Sequence, residues 1–449
     1  MKIVVKKLPY NKVLQLPPQK LRKPKRPNMF WRTLLKLLSA GVLKKEGFTY
    51  TIENMDRAGE GPYLILMNHS SFMDLEIAEH IFYPKPLSIV CTSDGFIGKD
   101  WLMRQIGCIP TKKFVSDPGL ISNIRYALKT AKSNVLMYPE ASYSFDGCAT
   151  ALPRRLGILI KKLDVPVIMI KTNGAFSRQP LYNGLKKRKV DISATVSCII
   201  SREDIKERSV DELDAILDEA FTFDNFRWQQ QNRVVIDVPD RADGLHRILY
   251  KCPHCHSEGQ TKGDGVSLYC HACGKQYELD EYGYLKSTDG DTRFDHIPHW
   301  YDWQRSEVKK ELENGTYRLE TDVDILVMVN HKAVYEVGEG TLIHDENGFS
   351  LKGCNGELEF TQSPLSSYSL YADYYWYEIG DVICIGDSQR LYYCFPKGDV
   401  PVAKARMATE ELYKIKRSQR RRKKYWLQNN SKIRIRKIPY AYFFIFYIE

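Results

Sequence analysis

His69 and Asp74, five positions apart, are the residues whose types and spacing most directly suit catalysis. An apolar run at 63–67 predicts a buried strand before them, and the pattern at 75–81 predicts a helix after them. If one of the two intervening serines caps that helix, Asp74 lies about one turn on. A carboxylate on one imidazole nitrogen fixes the tautomer and leaves the other nitrogen free to accept a proton. The pair therefore predicts a general base, and the alternative is a pair that only caps the helix.

A second group suits metal binding. It reads Cys-x2-Cys, fourteen residues, then Cys-x2-Cys, and its members are Cys252, Cys255, Cys270 and Cys273. Four thiolates in two knuckles complete a tetrahedral zinc site with no open position, so the spacing predicts a structural zinc ribbon. The alternative is four free thiols. The other seven cysteines are scattered singly, which is typical of a reducing cytosol and not of a disulfide framework.

Around the histidine, strand and helix patterns alternate, which predicts an α/β domain with a central sheet. Strands are predicted at 63–67, 87–91, 134–138, 165–170 and 193–200. Helices are predicted at 74–82, 119–132, 153–163 and 209–221. In such folds the functional residues lie at the carboxyl ends of strands, and His69 has that position.

The later part of the chain changes character. Short alternating segments from residue 317 to 395, punctuated by Gly, Asn and Asp, predict antiparallel strands closed by a helix at 402–416. This pattern resembles a pleckstrin-homology-like or GRAM-like barrel, which would bind a lipid or a partner. The predicted units are a basic segment 1–28, an α/β domain 29–245 that begins with an amphipathic helix, a zinc ribbon 246–290, a β-rich domain 291–416 and a basic tail 417–449.

The charge distribution indicates an anionic partner. The net charge is +11, and residues 1–28 carry nine positive charges and no acid. The helix that follows places Trp31, Leu34, Leu35, Leu38 and Val42 on one face. Its uncharged part is far shorter than the ~20 residues of a membrane span. Two interpretations stay open, an interfacial membrane anchor and a helix packed on its domain. The basic tail beside the apolar run 442–448 also favours an anionic membrane surface.

Four short blocks follow one another in a fixed order. Their sequences are Asn-His-x4-Asp at 68–74, Gly-x-Ile-x3-Lys at 107–113, Tyr-Pro-Glu-Ala-Ser-Tyr-Ser at 138–144 and an apolar run around a proline at 165–170. In this order they resemble the glycerolipid acyltransferases, the 1-acyl-glycerol-3-phosphate acyltransferase family. The resemblance covers roughly residues 30–240. This chain has Lys113 where the family has Arg in its second block, and Ala141 and Tyr143 where the family has Gly and Arg in its third.

The resemblance implies transfer of a fatty acyl group from a thioester to the hydroxyl of a lysophospholipid, with 1-acyl-glycerol-3-phosphate giving phosphatidic acid. His69 would take the hydroxyl proton for direct attack on the thioester, and Asp74 would orient His69. Lys113 would hold the acceptor phosphate, less directionally than Arg, because an ammonium is a point charge. The implied substrate-binding residues are Asn68, Gly107, Lys113, Glu140 and Ser142.

The expected partners follow from this activity. They are a lysophospholipid, an acyl thioester of coenzyme A or of an acyl carrier protein, and the anionic inner face of the membrane, where a cytoplasmic protein would bind peripherally. Nucleic acid is not expected. The alternative function, from another class, is a non-catalytic regulatory protein that binds nucleic acid or lipid through the zinc ribbon and basic tail, with salt-sensitive binding as its signature. The intact pair of His69 and Asp74 favours the enzyme.

Overall fold

A computed structural model describes residues 3–71, 73–115 and 117–436 of the chain. The basic N-terminal segment packs against the rest of the chain. Strand β1 (Val5–Lys7) pairs in parallel with Val334–Glu336 of the C-terminal domain, and helix α1 (Tyr10–Val13) buries Tyr10 and Val13 in that domain's core. Further on, Lys23 Nζ donates to Ser122 Oγ at 3.3 Å in the first domain. The basic segment is therefore a strap that contacts both domains.

The first domain is built on a mixed seven-stranded sheet. Its strands are β2 (Thr49–Glu53), β3 (Leu64–Met67), β4 (Leu87–Thr92), β5 (Cys108–Thr111), β6 (Asn134–Met137), β7 (Val167–Asn173) and β8 (Ser193–Ile200). The spatial order is β2-β8-β7-β3-β6-β4-β5, and neighbours are parallel except β7 and β8. The α/β prediction is confirmed. Sequence patterns missed β2 because all five of its residues are exposed at the sheet edge.

Helices cover both faces of this sheet. They are α2 (Met29–Lys45), α3 (Asp74–Phe82), α4 (Asp100–Gln105), α5 (Pro118–Lys129), α6 (Leu156–Leu163), α7 (Ala175–Arg178), α8 (Arg202–Glu207), α9 (Val210–Ala220) and α10 (Asn225–Gln231). Along β3, Leu64 and Leu66 pack in one apolar cluster, while Ile65 and Met67 pack in the other. Because both faces are buried, such strands appear in the sequence as continuous apolar runs.

A small antiparallel sheet follows. Its strands β9 (Thr261–Asp264), β10 (Ser267–Cys270), β11 (Gln276–Leu279) and β12 (Leu285–Ser287) lie in the order β12-β11-β10-β9. Helix α11 (Ile297–Glu313) comes next. Trp300 of α11 is fully buried, its ring lies 5.0 Å from that of Tyr277, and its Nε1 donates to the carbonyl of Lys251. The small sheet thus shares its core with the C-terminal domain.

The C-terminal region is mainly β. Strands β13 (Leu319–Asn330), β14 (Ala333–Asp345), β15 (Gly348–Gly353), β16 (Leu358–Gln362), β17 (Tyr371–Trp376), β18 (Gly380–Gly386) and β19 (Leu391–Pro396) form an antiparallel sheet in the order β16-β15-β14-β13-β19-β18-β17. Helix α12 (Val402–Arg436) follows. It continues 20 residues beyond the predicted end at Lys416, since residues 402–436 contain neither Gly nor Pro. The apolar run at 442–448 lies outside the described residues.

Buried ion pairs and hydrogen bonds connect helix α12 to the rest of the chain. Glu410, 2% exposed, accepts hydrogen bonds from Arg305 of α11 at 2.5 Å and from Ser369 at 2.6 Å. Burial alone would raise the pKa of Glu410, but Arg305 and Arg406 bring it down to about 2. Arg406 Nη1 also donates to the carbonyl of Tyr143 at 3.1 Å in the first domain. The last helix therefore holds the third sequence block directly.

None of the helices in the described part of the chain combines the length and hydrophobicity that a bilayer crossing needs.

Candidate active site

The His69–Asp74 pair forms where the carboxyl end of β3 leads into α3. His69 Nδ1 lies 2.9 Å from Asp74 Oδ2, and the same carboxylate oxygen accepts the backbone N–H groups of Ser70 at 3.1 Å and Ser71 at 3.2 Å. Asp74 is the first residue of α3, and its preceding residue, Met73, makes no side-chain cap. The helix thus begins later than Ser71 and neither serine is its cap residue. The Asp74 carboxylate binds the amides of Ser70 and Ser71, and Ser71 Oγ accepts the Met73 N–H at 3.1 Å.

Burial sets the protonation of the pair. It lowers the pKa of His69 well below 6.5, and the positive charge of Lys113 lowers it further. It raises the pKa of Asp74, against the two serine amides. A neutral imidazole whose Nδ1–H faces Asp74 holds its lone pair on Nε2. The His69 side chain keeps 16% of its surface exposed and that of Asp74 only 2%, so the imidazole is the accessible member of the pair.

Glu140 holds the backbone of His69. Its Oε2 accepts the His69 N–H at 3.1 Å, and its Oε1 accepts the N–H and Oγ1 of Thr150 at 2.7 and 3.0 Å. The Ser144 N–H donates to the His69 carbonyl at 3.3 Å. The resemblance placed Glu140 among the substrate-binding residues. The structure shows a buried carboxylate with three donors from the chain, which positions His69.

Asn68 joins two strand ends. Its Oδ1 accepts the N–H and Oγ1 of Thr172 in β7 at 2.8 and 3.1 Å, and its Nδ2 donates to Ser70 Oγ at 3.0 Å. Nδ2 also donates to the Thr172 carbonyl at 3.2 Å, and Asn68 is fully buried. Its amide is therefore saturated inside the domain, and its contacts fix β3 against β7.

Two other residues predicted to bind substrate make local contacts. Ser142 is 2% exposed and its Oγ donates to the carbonyl of Tyr143 at 3.1 Å. Gly107 has φ +87°, and a Cβ there would lie 2.8 Å from the Leu87 carbonyl and 3.0 Å from Pro27 of the strap. Gly107 is thus required by the backbone and by the close approach of the N-terminal segment.

Two tyrosines enclose the imidazole between their rings. The His69 ring centroid lies 4.2 Å from that of Tyr138 and 3.9 Å from that of Tyr143, at interplanar angles of 27° and 23°. The stack fixes the plane of the ring. Sequence reasoning missed both roles, although the two tyrosines in the third block were a visible signal. Phe72, between the pair in the chain, lies outside the described residues.

Strand β17 of the C-terminal domain forms one wall of the site. Lys113 Nζ lies 4.2 Å from the ring centroid of Tyr371, and Tyr371 Oη donates to Asp94 Oδ2 at 2.6 Å. Trp376 Nε1 donates to the same oxygen at 3.1 Å. Two surface cavities of about 1160 and 1000 Å³ lie elsewhere in the described chain. Strand β17 thus adds residues beside Lys113 from a second domain, which the sequence had placed in a separate unit.

The four cysteines of the small sheet come together as their spacing predicts. Cys252 Sγ lies 3.8 Å from Cys273 Sγ, and Cys255 Sγ lies 3.7 Å from Cys270 Sγ. All four sulfurs lie within 4.8 Å of one another. Metal–sulfur bonds of about 2.3 Å give a tetrahedron with edges of about 3.8 Å. The donor set and its spacing therefore fit zinc.

The comparisons with known proteins define the class of the first domain. Residues 48–171 match the protein family described as Acyltransferase. That range contains His69, Asp74 and Glu140, so the part of the chain that holds this site is similar to the acyltransferases.

A solved structure is also similar to this chain. The chain is similar to the 1-acyl-sn-glycerophosphate (LPA) acyltransferase PlsC from Thermotoga maritima, at 14% identity and a TM-score of 0.33. The match covers 42% of this chain and 76% of that one. Among curated proteins, none matches this chain.

The backbone conformation of Ala141, in the third block, leads to a testable prediction. Its φ is +55°, a left-handed conformation that an L side chain adopts with strain and glycine without it. We expect Ala141→Gly to raise the free energy of unfolding by roughly 0.5–1 kcal/mol, measured by urea denaturation.

The matched control is Ala151→Gly. Ala151 is not among the described residues with positive φ, and glycine there should lower stability slightly. If the Ala141→Gly protein were no more stable than the wild type, the backbone at Ala141 would not be strained.

Proposed function

We propose that the chain transfers a fatty acyl group from an acyl thioester to the free hydroxyl of a lysophospholipid at a membrane surface. The observation that carries this proposal is the 2.9 Å contact between His69 Nδ1 and Asp74 Oδ2 inside the stretch that matches the acyltransferase family. The neutral imidazole, its accessible edge and its fixed plane are what a general base needs.

The reaction can be written with these groups. His69 Nε2 accepts the proton of the acceptor hydroxyl as its oxygen bonds to the thioester carbonyl carbon, and Asp74 stabilises the imidazolium that forms. The C–S bond then breaks, and the imidazolium returns the proton to the thiolate. The products are an ester and a free thiol, with no covalent enzyme intermediate. General base catalysis contributes about 10²–10⁴-fold in such reactions.

The substrates follow from the resemblance. 1-Acyl-glycerol-3-phosphate, which would give phosphatidic acid, is the acceptor that it implies, and Lys113 is the cation beside His69 that would bind a headgroup phosphate. The acyl group would arrive on coenzyme A or on an acyl carrier protein. Asn68, Glu140, Ser142 and Gly107 would support the site from behind, through the backbone contacts described above.

An apolar surface supports a peripheral position on the inner face of the membrane. Helix α2 packs on α3, where Lys36 Nζ donates to the carbonyl of His80 at 2.9 Å. On its outer side Phe30, Leu37 and Leu38 are more than 60% exposed. Trp101 of α4 is 67% exposed and stacks edge-on with Trp31, which extends the apolar surface. One side of the helix packs on its domain, and its exposed apolar side supports the proposed contact with a membrane surface.

Zinc is proposed for Cys252, Cys255, Cys270 and Cys273. Four thiolates leave no open coordination position, so the ion would stabilise the fold and would not take part in acyl transfer.

A second function is favoured by the exposed basic residues of α12, which are Arg420, Arg421, Arg422 and Lys423. They would suit a non-catalytic protein that binds nucleic acid. Salt-sensitive binding of RNA together with no acyl transfer by the wild-type chain would favour this function.

The central prediction concerns His69. We expect His69→Ala to lower kcat for acyl transfer by about 10²–10⁴-fold, because the base is lost. Circular dichroism and vesicle binding should stay unchanged. His299→Ala, an exposed histidine outside the site, is the control and should keep full turnover. Wild-type turnover in His69→Ala would refute the proposed mechanism.

The membrane position is tested by Phe30→Ser/Leu38→Ser. Removing two exposed apolar side chains should weaken binding to vesicles of phosphatidylcholine and phosphatidylglycerol by about tenfold or more, in a sedimentation assay. Val235→Ser changes an exposed apolar residue elsewhere and should leave binding intact. Equal binding by the double variant and the wild type would show that this surface has another role.

The zinc proposal is tested by metal analysis. We expect about one zinc per wild-type chain and none in Cys270→Ala, whose thermal unfolding should begin at a lower temperature, since zinc binding is coupled to folding. Cys354→Ser lies outside the group and should retain the metal. Metal-free wild-type protein, purified from zinc-containing medium, would count against the site.

A further inference from the structure

Lys113 shares its buried surroundings with carboxylates. Its Nζ lies 4.2 Å from the Tyr371 ring, and Tyr371 Oη donates to Asp94, which is 1% exposed and follows β4. Asp373 lies two residues beyond Tyr371 in β17, so it is placed on the same face of that strand. Burial raises the pKa of Asp373 to about 6, against the charge of Lys113. Two carboxylates, Asp373 and Asp94, therefore act on the charge of Lys113.

Asp94 has an unused oxygen. Its Oδ2 accepts from Tyr371 and from Trp376, but its Oδ1 is buried and has no hydrogen-bond partner in the described chain. Asp74 Oδ1 is likewise buried and has no hydrogen-bond partner among the described residues. Buried carboxylate oxygens are normally paired, so unpaired ones beside a substrate site indicate a ligand that brings hydrogen-bond donors.

The surroundings suit a phosphomonoester poorly. Such a group carries a charge of about −1.5 to −2 at neutral pH, and here it would meet Asp94 and Asp373. The cations nearby are Lys113 and Arg406, and Arg406 is already paired with Glu410. Where the resembling family has an arginine, this chain has Tyr143, which stacks on His69 and adds no positive charge. A headgroup that carries one negative and one positive charge would meet a complementary partner for each, Lys113 for the anion and the two acids for the cation.

We propose that the acceptor is a lysophospholipid with a zwitterionic headgroup, a phosphodiester that binds Lys113 and a primary ammonium that binds Asp94 Oδ1 and Asp373. This inference rests on the proposed acyl transfer and narrows its acceptor class. The C-terminal β region then supplies part of the headgroup site, through Asp373 and through the aromatic residues that hold Asp94.

The experiment uses the full chain, with acyl-coenzyme A and acyl carrier protein thioesters supplied in parallel. The acceptors, presented in the same mixed vesicles, are 1-acyl-glycerophosphoethanolamine and 1-acyl-glycerol-3-phosphate. We expect kcat/KM to be at least tenfold higher with the ethanolamine lipid. A higher value with the phosphomonoester would overturn the inference and leave the proposed function standing, whereas no transfer to any acceptor would reject the proposed function itself.

Two variants separate binding from a structural role. Asp373→Asn should raise KM for the ethanolamine lipid about tenfold and leave kcat/KM for the phosphomonoester equal or higher. Asp94→Asn should shift the preference in the same direction, with circular dichroism as the check on its folding, because Asp94 also receives two internal hydrogen bonds. Asp399→Asn, an exposed acid, should change neither acceptor. An equal loss with both acceptors in Asp373→Asn would show a structural role and overturn the inference.

Discussion

The contact that the rest of the structure depends on is a buried hydrogen bond between an imidazole and a carboxylate. Removing both groups from water is unfavourable, and the chain offsets this with fixed hydrogen bonds. The amides of Ser70 and Ser71 donate to Asp74, and Glu140 accepts the His69 N–H. These contacts come from the carboxyl ends of β3 and β6, so the parallel centre of the sheet brings His69, Asp74 and Glu140 to one edge.

Features with a local signal could be predicted from the sequence. Buried strands such as β3, β4 and β7 are apolar runs, the pair of His69 and Asp74 spans one strand–helix junction, and the cysteines form two short knuckles. Contacts between distant segments could not be predicted, because nothing in the local pattern of β17 indicates that it lies against Lys113. The same holds for the strap and for the continuation of α12, where a basic composition favoured a solvated tail over a helix.

The two residues of the third block that differ from the resembling family, Ala141 and Tyr143, have related structural roles. Ala141 occupies a left-handed turn that positions the third block, and Tyr143, two residues on, replaces a charged side chain by a ring stacked on the imidazole. The Tyr143 carbonyl is held by Arg406, which belongs to the buried network around Glu410. The altered block and the extra domain thus form one packed unit. The positive charge of the family's arginine is here replaced by an aromatic ring, and β17 contributes one carboxylate, Asp373.

The strap has a consequence for the order of assembly. Val5 pairs with Val334, so the first strand of the chain finds its partner only after 329 further residues have been synthesised. Contacts between such distant segments form late, because a long loop must close before they bring any stabilisation. On the ribosome, the first domain would emerge and collapse while its N-terminal segment is still unpaired. The contacts that β17 and Arg406 add to this domain would therefore form later, after the C-terminal region has been synthesised.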